Sequence, residues 1–109
     1  MQSYFVDPSE CSEHQIFPGV NIRTSWCERM MLSLVTFEPH AVVEPHSHEH
    51  EQIGVLLEGE LEFTIGGQTR RLVPGQMWRI PGGVVHSAVA GDQRVRAVDV
   101  FAPIREDYK

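Results

Sequence analysis

The sequence predicts an all-β fold, a sandwich or barrel built from short strands. Apolar and polar residues alternate over short stretches, as in Leu61-Glu62-Phe63-Thr64-Ile65. Glycine and proline punctuate these stretches at Gly66-Gly67, Pro74-Gly75, Pro81-Gly82-Gly83 and Gly91. No segment shows a convincing helical period, except for a turn near residues 103–108.

Each element follows from local chemistry. Residues 20–24 form a short strand. Residues 30–37 are mostly apolar, as a strand buried on both faces would be. Around His46 and His48 the histidines alternate, which is strand spacing. Leu61, Phe63 and Ile65 face a core while Glu62 and Thr64 face water. Gly66-Gly67 then closes a hairpin of the primed turn type. Residues 68–73 return, with Arg70-Arg71 as a solvated strand edge. Pro74-Gly75 turns into residues 76–80, and Pro81-Gly82-Gly83 into residues 84–89. Gly91-Asp92 leads to a last strand, which is apolar on both faces except at Asp99 over residues 95–101.

A chain of 109 residues forms one domain, residues 1–109, around one core. A core this small gains from burial against a second subunit, and a homodimer is expected. The apolar segment Tyr4-Phe5-Val6 can cover a sheet edge on that partner, the alternative being a strand packed on its own subunit. No apolar run is long enough to span a membrane, and the start lacks a basic, then apolar, leader. Cys11 and Cys27 are too few for a disulfide scaffold and read as free thiols in a reducing cytoplasm. A net charge of −6 without a basic cluster argues against nucleic acid.

Four of the six histidines fall between residues 40 and 50. On one strand His46 and His48 share a face, and Gln52 joins them with a carbonyl oxygen. His86 follows the Pro-Gly-Gly turn and can arrive from a neighbouring strand. Three imidazole nitrogens and an amide oxygen suit a divalent transition metal and leave positions open for substrate. His40 and His50 are weaker candidates: His50 has ligand parity but sits where a sharply curved strand would need a bend.

These residues resemble the cupins, small double-stranded β-helix barrels of jelly-roll type. The first cupin motif spaces His, His, Glu and Gly as His46, His48, Gln52 and Gly59 are spaced here. The second is met by Gly75, Pro81, Gly83 and His86. This chain departs from the pattern at His40, where a glycine is expected, at Ala90, where an asparagine is expected, and at Gln52, where glutamate is usual. A neutral amide leaves a bound divalent ion its full charge, which favours anionic substrate and Lewis-acid chemistry over iron–oxygen chemistry.

Asp99 interrupts the last strand, and a carboxylate there is costly unless paired or functional. It either pairs with Arg96, Arg79 or Arg105 for structure, or faces the interior as an acid/base group. Arg105 can hold a carboxylate at the barrel mouth with its fork, or pair with Glu106 or Asp107. The ending around Asp99, Phe101 and Arg105, taken with the two motifs, resembles the small cupins of the pectin-degradation protein family. That family converts 4,5-unsaturated monouronates, products of pectin and alginate lyases, to linear ketonised sugars. The resemblance implies metal ligands at His46, His48, Gln52 and His86, and substrate and catalytic roles for Asp99, Phe101 and Arg105. It implies one divalent ion, nickel, zinc, manganese or iron, a small anionic sugar as the molecule bound, and no redox cofactor. A metal-dependent dioxygenase and a non-enzymatic sugar-binding module are the alternatives. Fold alone does not decide among them.

Overall fold

Ten strands carry nearly all the regular structure of the computed structural model, which describes residues 3–109. They are β1 (Ser12–Phe17), β2 (Val20–Trp26), β3 (Met31–Phe37), β4 (Val42–His46), β5 (Glu51–Glu58), β6 (Leu61–Ile65), β7 (Gln68–Leu72), β8 (Met77–Ile80), β9 (His86–Ala90) and β10 (Val95–Ala102). A six-stranded sheet runs β1-β2-β3-β10-β5-β8, and a four-stranded sheet runs β4-β9-β6-β7. All pairings are antiparallel. The two sheets form the jelly-roll barrel expected from the sequence.

Alternation decides which side chains enter the barrel. Val20 and Ile22 of β2, Val35 and Phe37 of β3, Leu56 of β5, Leu61 and Phe63 of β6, Trp78 and Ile80 of β8, and Val95 and Ala97 of β10 make the core. Gly66 and Gly67 both have positive φ, 55° and 80°, as a primed hairpin turn requires. β7 pairs only with β6, so Arg70 and Arg71 lie on an exposed edge strand, as expected. His40 has a φ of 64°, which explains why a glycine suits its position.

Two expectations need correction. Residues 30–37 are not buried on both faces: Met31, Ser33, Val35 and Phe37 point inward, while Leu32 is 42% exposed. Leu32 lies on the outer face of the six-stranded sheet, the face turned away from the core. The His46–His48 segment is also not one continuous strand. β4 ends at His46, and the chain bends before β5 begins at Glu51. At this corner it crosses from the four-stranded to the six-stranded sheet. β1 is a strand that composition hides, because Ser12, Glu13, His14 and Gln15 give it a polar start.

Candidate metal centre

His46 is the last residue of β4 and His86 the first of β9, and the two are register partners. Their ring centroids lie 4.3 Å apart. His48 reaches them from the corner that follows. That corner is clamped by the Pro81-Gly82-Gly83 turn: the Gly83 N–H donates to the His48 carbonyl at 2.8 Å. Gly82 lies so close to the Glu49 carbonyl that a Cβ would overlap it. The two motifs therefore fold against each other, and one ligand-capable atom from each of His46, His48 and His86 lies within 4.8 Å of the others.

Backbone carbonyls fix the three tautomers. Nδ1 of His46 faces Glu44 O, Nδ1 of His48 faces His50 O, and Nδ1 of His86 faces Val84 O, each at 2.9 Å. A carbonyl only accepts, so each Nδ1 carries the hydrogen and each Nε2 is left with its lone pair. Nε2 of His86 is buried without a partner. Nε2 of His48 faces Gln52 Oε1 at 3.1 Å, two acceptors turned toward each other. A cation reconciles such an arrangement. These residues therefore fit a divalent ion in an N₃O set. Burial, and then the neighbouring charges, hold the His48 imidazole below its ordinary value and push His86 down to about 4, so both favour the neutral, ligating form.

Asp99 points into the barrel from β10 and is 8% exposed. None of the arginines considered for it is its partner. Instead Trp78 Nε1 donates to Asp99 Oδ1 at 2.8 Å. Between Asp99 on β10 and Trp78 on β8 stands Gly54 of β5, the register partner of both. A Cβ at Gly54 would overlap Asp99 Oδ1 and the indole. The missing side chain lets the two meet across it. Burial pushes the Asp99 carboxyl up to about 6, against the opposing pull of its polar neighbours Gln52 and Trp78.

Arg105 lines the same cavity as His46, Gln52, His86, Asp99 and Phe101. Of the two expectations for it, the structure shows the pairing with a C-terminal acidic residue. One guanidinium nitrogen pairs with Asp107 at 3.0 Å, and the guanidinium lies over the Tyr108 ring at 3.9 Å. Its Nε is buried with no partner, a donor left over for a ligand. Phe101 is buried between the His48 ring and Arg105. His50 lies outside the three-histidine group. Trp78, Gly54 and Tyr108 are the site neighbours that sequence reasoning did not single out. A glycine inside a strand, and an indole N–H needing an acceptor in a core, were the available signals.

A family model for the cupin domain matches residues 33–101. The pectin degradation protein KdgF of Dickeya dadantii is 28% identical over 110 residues, 99% of each chain. The solved structure of KdgF from a Halomonas species superposes with a TM-score of 0.86 at 33% identity, covering 98% of both chains. An RmlC-like cupin from Shewanella frigidimarina gives a TM-score of 0.89 at 25% identity, over 99% of this chain and 97% of that one.

Proposed function

The chain belongs to the cupin domain family, and on that premise we propose that it opens the ring of 4,5-unsaturated monouronates, giving linear 4-deoxy-5-keto-uronates. The full-length likeness to two KdgF proteins carries this proposal. The three-histidine group and the buried carboxylate beside it support it.

Nε2 of His46, His48 and His86 and Oε1 of Gln52 are the atoms that would hold a divalent ion. When bound, that ion supplies Lewis-acid stabilisation of charge on the substrate's ring and carboxylate oxygens. The remaining work falls to the protein. Arg105 orients the sugar carboxylate with its unpaired Nε–H. Phe101 holds Arg105 in place and gives the sugar an apolar wall. Asp99 takes the proton from the anomeric hydroxyl as the bond from C1 to the ring oxygen breaks, leaving an aldehyde at C1 and an enolate across C4 and C5. It then returns that proton to C4, and the ketone forms at C5. The product is an isomer of the substrate, so the step consumes neither water nor a redox partner.

We further propose that the protein works as a homodimer in the cytoplasm and accepts sugars from pectin or alginate. The described chain has no helix long and apolar enough to cross a membrane, and Cys11 and Cys27 are free.

The decisive experiment follows the ultraviolet absorbance of a lyase-generated unsaturated monouronate, with and without oxygen and with and without a chelator. Absorbance loss that needs metal but not oxygen is expected. A requirement for oxygen would favour the dioxygenase reading, and binding without turnover by metal-replete protein would favour the sugar-binding module.

A further inference from the structure

We infer that Ser33 is a specificity-determining residue of the same site: its hydroxyl holds the hydroxyl at C2 of the sugar. C2 is the centre at which pectin- and alginate-derived unsaturated monouronates differ, so this contact chooses between them. The inference rests on the ring-opening reading and deepens it.

Thr24 of β2, Ser33 of β3, Asp99 of β10, Gly54 of β5 and Trp78 of β8 are successive register partners and form one rung of the six-stranded sheet. The inward rung on one side is apolar, with Ile22, Val35, Ala97 and Leu56. The inward rung on the other side carries Phe101 and Gln52. Ser33 therefore sits at the depth of Asp99, and both line the cavity that Arg105 lines. Direct partners on adjacent strands set their Cβ atoms about 4.5–5.5 Å apart. Ser33 is 1% exposed, and among the described residues its Oγ has no hydrogen-bond partner. The other donors of the rung are already used. The Thr24 hydroxyl donates to the Tyr108 carbonyl at 2.6 Å, and the Trp78 N–H donates to Asp99. An unpaired buried hydroxyl costs stability, and beside an acid/base group in a cavity wall it is placed for a ligand rather than for the fold.

The order of the strands matches the order of atoms around C1 of the sugar. β10 stands between β5, which carries Gln52, and β3, which carries Ser33. In the ring-opening step the hydroxyl on C1 meets Asp99, and the ring oxygen lies toward the residues that would hold the ion, Gln52 among them. C2 is the other ring neighbour of C1, so it falls on the opposite side, toward β3. The hydroxyls on C1 and C2 are vicinal, close enough to be met by two side chains one strand apart. The Ser33 hydroxyl can donate or accept, so it pairs with the C2 hydroxyl in one configuration. In the epimer that hydroxyl leaves on the other face of the ring, and Ser33 stays unpaired. A site that hydrogen-bonds a substrate hydroxyl rejects the analogue that does not supply it. Elimination removes the stereocentres at C4 and C5, and C3 has one configuration in galacturonate, mannuronate and guluronate. The lyase products thus differ at C2 alone.

The test uses the full chain, loaded with the divalent ion that gives the highest turnover, and the unsaturated monouronates that lyases release from polygalacturonate and from alginate. Ser33→Ala should melt at or above wild type, because it deletes an unpaired group. For the preferred epimer it should raise KM by roughly 3–10-fold, the usual contribution of one neutral hydrogen bond. Its kcat should be nearly kept, because the C2 hydroxyl takes part in no bond change. KM for the other epimer should change little, so discrimination narrows. Ser33→Cys keeps the shape but is a weak donor, and it should narrow discrimination likewise should the alanine variant fail to fold. Equal changes for both epimers, or no change in a folded variant, would overturn the inference. A lower melting temperature with unchanged KM values would show a structural hydroxyl and overturn it as well. Wild-type protein that turns over neither epimer would instead overturn the ring-opening reading, and this inference with it.

Discussion

Burial pushes the Asp99 carboxyl up to about 6 from its ordinary 3.8, while it pushes His86 down to about 4 from 6.5. The two act on stability in opposite senses. Between pH 4 and 6 the folded Asp99 holds a proton that the unfolded chain has lost, so its contribution falls as pH rises through that window. The penalty of the charged form above it is about 3 kcal/mol. The unfolded His86 takes a proton that the folded one refuses, so its contribution is lost as pH falls from 6.5 toward 4. In metal-free protein, Asp99→Asn should therefore make acid destabilisation steeper, measurable as melting temperature against pH. An unchanged slope would contradict the assigned burial. With metal occupancy verified, the same variant should lower kcat by roughly 10²–10⁴ if Asp99 moves the protons. Arg105→Ala should act partly through KM, because a carboxylate clamp also binds the ground state. Near wild-type turnover by a folded, metal-loaded Asp99→Asn protein would sink the proposed proton transfers. The cluster of His46, His48 and His86 was legible in the sequence because ligands need fixed spacings. Trp78 was not, since an indole in an apolar strand looks the same whether its N–H meets an acidic side chain or a backbone carbonyl.

Gly54 shows why element-level geometry exceeds what spacing conveys. A strand apolar on both faces leaves open in the sequence which way Asp99 points, and only the pairing of β5 between β10 and β8 sets Gly54 between Asp99 and Trp78. Gly54→Ala should force the carboxylate and indole apart. We expect a loss of about 1–3 kcal/mol in stability, the usual range for overpacking a core, together with a fall in kcat. Melting curves and single-substrate kinetics on one preparation check both; a variant unchanged in both would show that the gap at Gly54 is not needed. The corner between β4 and β5 makes the same point from the other side. Histidine alternation suggested a continuous strand, yet the barrel needs the chain to change sheets there. His48 still joins the cluster because the Gly82-Gly83 turn pins its backbone. Local periodicity records where side chains are wanted, not which sheet carries them.

At the scale of the whole molecule, the six-stranded sheet presents an apolar outer face. Leu32, Val100 and Ile53 are register neighbours across β3, β10 and β5, and Leu34, Val98, Val55 and Met77 form the next row. Ile53 is 56% and Met77 75% exposed, and Tyr4 and Phe5 are 91% and 86% exposed on the N-terminal segment. Tyr4 and Phe5 are thus not packed on their own subunit. A contiguous apolar face of this kind marks an interaction site, and a regular sheet face is suited to an isologous contact in which the same residues serve both copies. A stable dimer needs roughly 1,200 Å² or more of total buried surface, which rows across four strands, together with the N-terminal aromatics, are placed to supply. We therefore expect a dimer mass by light scattering at micromolar concentration, and a monomer mass for Ile53→Lys. Because Ile53 points away from the barrel, that variant should keep its fold and its three-histidine group, so Zn²⁺ uptake separates loss of assembly from loss of structure. A wild-type protein that scatters as a monomer would leave this face to some other partner and would remove the subunit burial expected to support so small a core.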